Sequence, residues 1–132
     1  MRFIPTRIHG MADYAMGALL IVAPWLLGFP VWGAQTWVPS LLGVGVIGYS
    51  LFTDYELGLI RTIPMGMHLG LDAASGVLLA ASPWLFGFAD VVYLPHLILG
   101  LVEIGAALTT HSTPDDRRAV GVRHTPAEER RF

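Results

Sequence analysis

Two histidine–aspartate pairs have residue types and a spacing that could do chemistry. His9 precedes Asp13 by four residues, and His68 precedes Asp72 by the same interval. Residues four apart share one face of an α-helix, so each histidine can donate a hydrogen bond to the aspartate one turn away. That structural role is the first interpretation. If the two pairs meet in space, two imidazoles and two carboxylates could instead bind a divalent transition metal, or relay protons or hold a polar substrate.

The pairs belong to a longer stretch that occurs twice, at residues 4–29 and 63–88. Nine identities recur at one constant spacing. They are Ile4/Ile63, Pro5/Pro64, His9/His68, Asp13/Asp72, Gly17/Gly76, Pro24/Pro83, Trp25/Trp84, Gly28/Gly87 and Phe29/Phe88. Such self-similarity indicates that the chain is built from repeated units.

Composition points to a membrane protein. The 132 residues are 54% hydrophobic and only 14% charged, whereas soluble domains average roughly 25% charged residues. Four apolar segments, at 7–28, 36–53, 66–87 and 91–110, each approach the ~20 residues that cross a ~30 Å hydrocarbon core as a helix. Cysteine is absent, which excludes disulfides, iron–sulfur clusters and thiol nucleophiles.

The basic residues predict how the four spans are oriented across the membrane. All eight are arginines, and all fall on one side of a four-span topology: Arg2, Arg7, Arg61, Arg117, Arg118, Arg123, Arg130 and Arg131. The tryptophans, Trp25, Trp32, Trp37 and Trp84, fall on the opposite side and suggest an interfacial belt. The positive-inside rule then places both termini in the cytoplasm. Tyr55 is expected to be exposed in the inner loop, and His96 to be solvated on the outer side.

The second and fourth segments are also related, through Leu42/Leu99, Gly43/Gly100, Ile47/Ile104, Gly48/Gly105 and Leu51/Leu108. The predicted fold is an all-α membrane protein of four transmembrane helices. They form two tandem two-helix hairpin repeats, related by a pseudo-two-fold axis along the membrane normal. Residues 1–110 would form the bundle, with repeat one at 4–53 and repeat two at 63–110. Residues 111–132 would form a cytoplasmic tail, with helix starts at Thr113-Pro114 and Thr125-Pro126.

Glu103 breaks the repeat, because its counterpart is Val46. An ionisable side chain deep in a membrane span is by default a functional-site hypothesis. His68 or Asp72 would be its natural partner. The intramembrane polar candidates are therefore His9, Asp13, His68, Asp72 and Glu103.

Eight glycines are predicted to let neighbouring helices approach closely. Gly17 and Gly76 extend the two histidine–aspartate faces by one further turn, so those faces should point into the bundle. The predicted helix-packing set is Gly17, Gly43, Gly48, Gly66, Gly70, Gly76, Gly100 and Gly105.

Each repeat also carries Pro-Trp-x-x-Gly-Phe near the end of its first helix. A proline there kinks or ends the helix, and the tryptophan can then lie at an interface with its N–H in water. The predicted interfacial corners are Pro24, Trp25, Gly28 and Phe29, and Pro83, Trp84, Gly87 and Phe88.

The two segments that contain these corners, at residues 23–29 and 82–88, resemble the SPW-repeat family of small bacterial and archaeal integral membrane proteins. That family is named for a Ser-Pro-Trp motif present in tandem copies; the first copy here has Ala23 in place of serine. The resemblance covers residues ~4–110. It implies a multi-pass protein of the cytoplasmic membrane and transfers no active site.

The sequence leaves three hypotheses about the molecular function open. Small size and a mostly apolar interior favour a non-enzymatic structural or accessory membrane subunit, whose partners are the lipid bilayer and a second copy or another membrane protein. An ion- or proton-conducting or transporting oligomer is one alternative. A metal- or haem-binding membrane redox protein that uses His9 and His68 is the other. Apart from a metal at His9, Asp13, His68 and Asp72, no cofactor is expected, and no nucleic-acid signature is present.

Overall fold

The computed structural model describes residues 1–29 and 32–123, and over these residues the chain is all-helical. Its helices are α1 (Thr6–Leu26), α2 (Ala34–Leu51), α3 (Met65–Leu85), α4 (Leu94–Thr109) and α5 (Asp115–Arg123). The four apolar segments correspond to α1–α4, and α5 begins directly after Thr113-Pro114, as predicted. The helix start at Thr125-Pro126 and the arginines at 130 and 131 lie outside the described residues.

The Pro-Trp-x-x-Gly-Phe motif ends a helix in each repeat. In α1, Gly28 adopts a φ of 76° and the Phe29 N–H donates to the Pro24 carbonyl oxygen at 2.8 Å. A glycine in the left-handed conformation with this reach-back hydrogen bond is a common helix ending, because a side chain at that φ would be strained. The end of α3 repeats it at Pro83, Gly87 and Phe88, with a φ of 73° and a distance of 2.8 Å.

Each repeat is a helical hairpin, with α1 against α2 and α3 against α4, and α2 also packs on α3. Facing glycines allow the close approach within each hairpin. A Cβ added at Gly43 would lie 2.5 Å from the Gly17 carbonyl oxygen, and one at Gly100 would lie 2.5 Å from that of Gly76. These four glycines therefore pack helices together, as predicted.

The other four glycines, Gly48, Gly66, Gly70 and Gly105, do not lie at a contact between helices of the described chain. An added Cβ at each of these positions would meet no atom within 4 Å. Recurrence alone marked Gly48 and Gly105, and a four-residue spacing marked Gly66 and Gly70. Neither signal records which side of the helix meets a neighbour.

Two isolated backbone bridges join the hairpins at one end of the bundle. Ile4 pairs with Thr110, and Thr53 pairs with Ile63. These are equivalent positions in the two repeats, so the bridges are related by the same approximate two-fold as the helices. Arg2, Arg7 and Arg61 belong to this end, which we call the arginine end. The opposite end, where α1 and α3 finish, is the tryptophan end.

Many polar side chains lie inside the bundle together with an apolar core, and many large apolar side chains lie outside. The buried set includes His9, Asp13, Gln35, Ser50, His68, Asp72, His96 and Glu103, whereas Met11, Val22, Leu41, Val44, Val77, Leu101 and Leu108 are exposed. A soluble domain shows the opposite preference. Judged by length and mean hydropathy together, no helix in the described part of the chain qualifies as a membrane span.

Candidate functional site

The two histidine–aspartate pairs meet in the core near the arginine end. His9 and Asp13 come from α1, and His68 and Asp72 come from α3; all four are at least nine-tenths buried. One ligand atom from each of the four lies within 4.8 Å of the other three. We call these four residues the His–Asp cluster. The two histidine–aspartate pairs therefore meet in space, as a joint site requires.

The shortest contacts in the cluster cross from one repeat to the other. His9 Nε2 lies 2.9 Å from Asp72 Oδ2, and His68 Nε2 lies 3.0 Å from Asp13 Oδ2. Within each helix the corresponding distances to Oδ1 of Asp13 and Oδ2 of Asp72 are 3.2 Å. The expected contact one turn along each helix is present, but the cluster also ties α1 to α3.

Two threonines orient the histidine rings. Thr110 Oγ1 lies 2.9 Å from His9 Nδ1, and Thr53 Oγ1 lies 2.8 Å from His68 Nδ1. Each hydroxyl also donates to the carbonyl oxygen four residues earlier, at 2.7 Å. Because a hydroxyl has one proton, its oxygen accepts from the Nδ1–H when that proton goes to the carbonyl. Neither threonine was predicted to belong to the site, although the two recur at the spacing that relates α2 to α4.

When the proton of each neutral histidine is on Nδ1, both Nε2 atoms face carboxylates without a proton. A neutral imidazole with its proton on Nδ1 presents a lone pair at Nε2, and an ionised carboxylate offers only acceptors. Two acceptors about 3 Å apart repel each other. The arrangement therefore needs either a proton or a bound cation between each ring and the carboxyl group that it faces.

Tyrosines enclose the cluster on the α2 side. The Tyr49 hydroxyl donates to Asp72 Oδ1 at 2.5 Å, and the rings of Tyr49 and Tyr55 each contact the ring of His68. Tyr55 is fully buried, so the expectation that it is exposed in the loop is wrong. It packs against Gly10, where a Cβ would meet its ring, and burial raises the pKa of its hydroxyl.

Glu103 lies beside the cluster without joining it. The hydroxyl of Ser75 donates to Glu103 Oε2 at 3.2 Å, and Oε1 has no hydrogen-bond partner among the described residues. Ser75 therefore takes the place that His68 or Asp72 was expected to fill. A cavity of about 50 Å³ borders both this residue and the cluster, and its lining includes His9, Asp13, Asp72 and Glu103.

The start of α5 packs on the arginine end. Its Asp116 N–H donates to Glu56 Oε1 at 3.1 Å, and its Asp115 N–H donates to Thr6 Oγ1 at 3.0 Å. Thr6 in turn donates to Glu56 Oε2 at 2.8 Å. A carboxylate is favourable at a helix N-terminus because the first N–H groups have no partner within the helix.

Two ion pairs accompany this contact. Arg61 pairs with Asp116 at 3.1 Å, and Arg117 pairs with Asp54, which raises the pKa of the Arg117 guanidinium. Both arginines are about half exposed, so each pair contributes little to stability.

His96 lies at the tryptophan end and is buried, so the expectation that it is solvated is wrong. Its Nε2 donates to the Gln35 carbonyl oxygen at 3.0 Å, and its ring packs between Phe29 and Phe88. The two phenylalanines that follow the helix-ending glycines thus enclose it. His96 is far along the bundle from the His–Asp cluster and takes no part in it.

The cluster has the dimensions of a small metal site. Zinc binds imidazole nitrogens at 2.0–2.1 Å and carboxylate oxygens at 2.0–2.2 Å, which in a tetrahedron places neighbouring ligand atoms about 3.3 Å apart. The four shortest histidine–carboxylate distances, 2.9–3.2 Å, are close to that spacing and involve both oxygens of Asp13. With one ligand atom taken from each residue, all four atoms lie within 4.8 Å of one another. Thr53 and Thr110 supply the outer hydrogen bonds that fix a ligating histidine ring.

Comparisons with known proteins address the family of this chain. No curated protein and no solved structure gives a match. The family model described as the SPW repeat domain matches residues 7–110, a range that includes all four bundle helices except the first residue of α1. This chain therefore belongs to the SPW repeat family.

Proposed function

We propose that this chain is an integral membrane protein whose four bundle helices span a bacterial or archaeal cytoplasmic membrane. The inside-out distribution of side chains supports this placement. Burying a histidine, an aspartate or a glutamate while exposing leucine, valine and methionine is unfavourable in water and favourable in hydrocarbon. Family membership supports it as well.

The distribution of charged and aromatic residues supports the orientation. Arg2, Arg7 and Arg61 share one end with the start of α5, whereas Trp25 and Trp84 are exposed at the other end. By the positive-inside rule, the arginine end faces the cytoplasm and the tryptophan end faces the outer surface.

Within this bundle, we propose that the His–Asp cluster binds a divalent transition metal, with zinc as the best fit. One observation carries the proposal: four buried ligand atoms, two from imidazoles and two from carboxylates, lie within 4.8 Å of one another. A divalent cation supplies the positive charge that the facing carboxylates need. It also satisfies both Nε2 lone pairs, and two carboxylates neutralise it.

Four protein ligands point to a structural role for the metal. Catalytic zinc sites keep one position open for water or substrate, whereas structural sites are closed by four protein ligands. Here two ligands come from each repeat, so the ion would link α1 to α3. The function that follows is a structural or accessory membrane subunit held together by a metal. The ring centroids of His9 and His68 are only 5.4 Å apart, which leaves no room for a porphyrin between them.

A second candidate needs no metal. Two imidazolium rings and two carboxylates would form a neutral buried quartet, and the cross-repeat distances of 2.9 and 3.0 Å suit charge-assisted hydrogen bonds. In that case the cluster is a proton-bearing tie between the hairpins, and the accessory role is unchanged.

Metal analysis separates the two candidates. The protein would be purified in detergent with a tag free of histidine and analysed by mass spectrometry for bound metals, before and after incubation with Zn²⁺. We expect about one ion per chain, lost in Asp13→Asn and in Asp72→Asn. His96→Ala is the matched control, because it removes a buried histidine outside the cluster and should retain the ion. A folded wild-type protein that takes up no metal would refute the metal site and leave the quartet.

A further inference from the structure

A basic pocket of about 200 Å³ lies at the arginine end, apart from the His–Asp cluster. The chain ahead of α1, the linker between α4 and α5, and α5 itself build it. Its lining residues each carry a guanidinium, an imidazole or a hydroxyl: Arg2, His111, Ser112, Thr113 and Arg118. Among the described residues, no carboxylate lines it. We call it the arginine pocket. Such a set of donors suits an anion with several acceptor oxygens.

Arg2 is held in place at one wall of the pocket. Its Nη1 donates to the carbonyl oxygens of Ala107 at 3.2 Å and of Thr110 at 2.5 Å, at the end of α4. The last carbonyls of a helix have no partner within it and carry the negative end of the helix dipole, so a guanidinium is favourable there. A guanidinium has five N–H donors. Arg2 therefore keeps donors on its other two nitrogens for a ligand.

Arg118 supplies charge that no acid of the described chain neutralises. At the same end, Arg61 pairs with Asp116 and Arg117 pairs with Asp54. Arg118 is exposed and has no ion-pair partner among the described residues. An anion at this position would therefore not compete with an existing ion pair.

Asp115 approaches the pocket through His111. Its Oδ1 lies 3.9 Å from His111 Nδ1, and its Oδ2 accepts a hydrogen bond from the Arg7 N–H at 3.3 Å. Even if this carboxylate offsets a charge on His111, the pocket keeps the charge of two guanidinium groups, those of Arg2 and Arg118. Guanidinium groups bind phosphate oxygens through charge-assisted hydrogen bonds and match their geometry.

The position of the pocket favours a phospholipid over a soluble anion. Arg2 is followed by Phe3, which is 64% exposed, and Ala107, whose carbonyl oxygen it binds, is followed by Leu108, which is 61% exposed. In the proposed orientation these apolar side chains lie against the inner part of the bilayer, so the pocket lies at the level of the cytoplasmic headgroups. Basic pockets at the cytoplasmic ends of membrane helices suit anionic headgroups.

We propose that the arginine pocket binds the phosphate group of an anionic phospholipid in the cytoplasmic leaflet. Arg2 and Arg118 bind the phosphate oxygens, and the hydroxyls of Ser112 and Thr113 donate to the headgroup. The inference rests on the proposed placement of the bundle in a membrane and does not depend on the metal. Because Arg2 is fixed to the end of α4 and Arg118 belongs to α5, the bound lipid would join the tail helix to the bundle at the membrane surface.

Lipid titration tests the site. The protein would be purified in a neutral detergent, freed of lipid and titrated with phosphatidylglycerol or phosphatidylcholine, and native mass spectrometry would count the bound lipids. Both lipids carry a phosphate diester, but only phosphatidylglycerol has a net negative charge. We expect a single phosphatidylglycerol to bind more tightly than phosphatidylcholine, and R118Q and R2Q each to weaken its binding about fivefold.

R117Q is the matched control for this titration. It removes the same charge from the adjacent position, where Asp54 already neutralises it, and it should bind phosphatidylglycerol as the wild type does. If R118Q binds as tightly as the wild type, the pocket does not hold the lipid. If R117Q weakens binding as much as R118Q does, the attraction comes from net charge alone, and the proposed site is overturned.

Two further measurements identify the source of the phosphate and separate this site from the proposed function. Inorganic phosphate in excess over the lipid should not displace phosphatidylglycerol; displacement would assign the pocket to a soluble anion and overturn the lipid. Alkaline washing of cell membranes should leave both the wild type and R118Q in the membrane fraction, because the bundle helices hold them there. Release of both would refute the membrane placement, whereas retention of both with equal lipid binding would refute the pocket alone.

Discussion

The two halves of the bundle core follow the same repeat symmetry and differ in chemistry. In the tryptophan half, Leu20 and Leu79 are equivalent residues, both are fully buried, and they pack together with Val38. In the arginine half, the equivalent aspartates Asp13 and Asp72 face each other with a histidine beside each. A two-fold axis brings identical groups together. Identical apolar groups then attract, whereas identical carboxylates repel. Duplication therefore costs nothing in the apolar layer, formed by Leu20, Leu79 and Val38. The polar layer, formed by the His–Asp cluster, needs protons or a cation between its carboxylates.

The largest expected effect comes from breaking the polar layer. Asp72→Asn removes one carboxylate from His9, His68 and Tyr49 and should abolish metal binding. It should lower the free energy of unfolding by about 3–5 kcal/mol, since it leaves buried charge uncompensated. Denaturant titration in detergent micelles measures the change, and Asp90→Asn, at an exposed loop position, is the control. If Asp72→Asn lowers the free energy of unfolding no more than Asp90→Asn does, charge interactions do not stabilise the polar layer.

Leu79→Ala should affect stability without affecting the ion. Truncating a fully buried leucine costs about 2–5 kcal/mol through lost burial and the cavity left behind. We expect a loss in that range with unchanged metal content, which unfolding titration and metal analysis on the same sample would establish. Leu101→Ala, at an exposed position, should cost much less. Loss of metal in Leu79→Ala would mean that the two halves of the core are coupled.

Gly87→Ala tests the helix ending that follows the apolar layer. The φ of 73° at Gly87 is unfavourable for any residue with a Cβ, so the substitution should cost about 1–2 kcal/mol. Gly45→Ala is the contrasting variant, because Gly45 lies inside α2 with open space around it and alanine is the better helix former there. Equal effects of the two substitutions on the unfolding midpoint would contradict the role assigned to Gly87.

The smallest effect on stability is expected from the threonines behind the polar layer. Thr53→Val and Thr110→Val each remove the acceptor of one Nδ1–H, at about 0.5–1.5 kcal/mol, and should weaken metal binding by about 10–100-fold. Competition with a chelator of known affinity gives the second quantity. Thr109→Val removes a hydroxyl whose hydrogen bonds, within the described part of the chain, go to backbone carbonyls, and it should leave affinity unchanged. If all three variants bind metal equally well, the threonines do not orient the ligands.

Periodicity and recurrence in the sequence were enough to predict the four bundle helices, the helix-ending motif and the inward direction of the His–Asp faces. They could not decide whether the pairs meet, because His9 and His68 lie on helices with no fixed separation until the hairpins pack. For the same reason the sequence could not show that Tyr49 reaches Asp72 from a third helix. Thr53 and Thr110 were missed for another reason: each follows the end of a helix, where no periodic face remains to mark them.

Only half of the eight predicted glycines lie at a helix contact within the described chain, for a related reason. Small residues mark a helix contact only on the side that a neighbour approaches, and the pairings Gly17 with Gly43 and Gly76 with Gly100 are set by how each hairpin closes. Glu103 was identified correctly as a buried exception to the repeat. Its partner was not, since Ser75 is an ordinary small residue in an apolar helix.

The paired bridges at the arginine end have a consequence for the connectivity of the chain. Thr53 and Ile63 are joined by a covalent loop, whereas their equivalents Thr110 and Ile4 meet with no link between them. The same backbone pairing occurs at both junctions, which predicts that the repeats can be joined in either order. A circular permutant that links residue 110 to residue 4 and opens the loop between 53 and 63 should keep the same bundle.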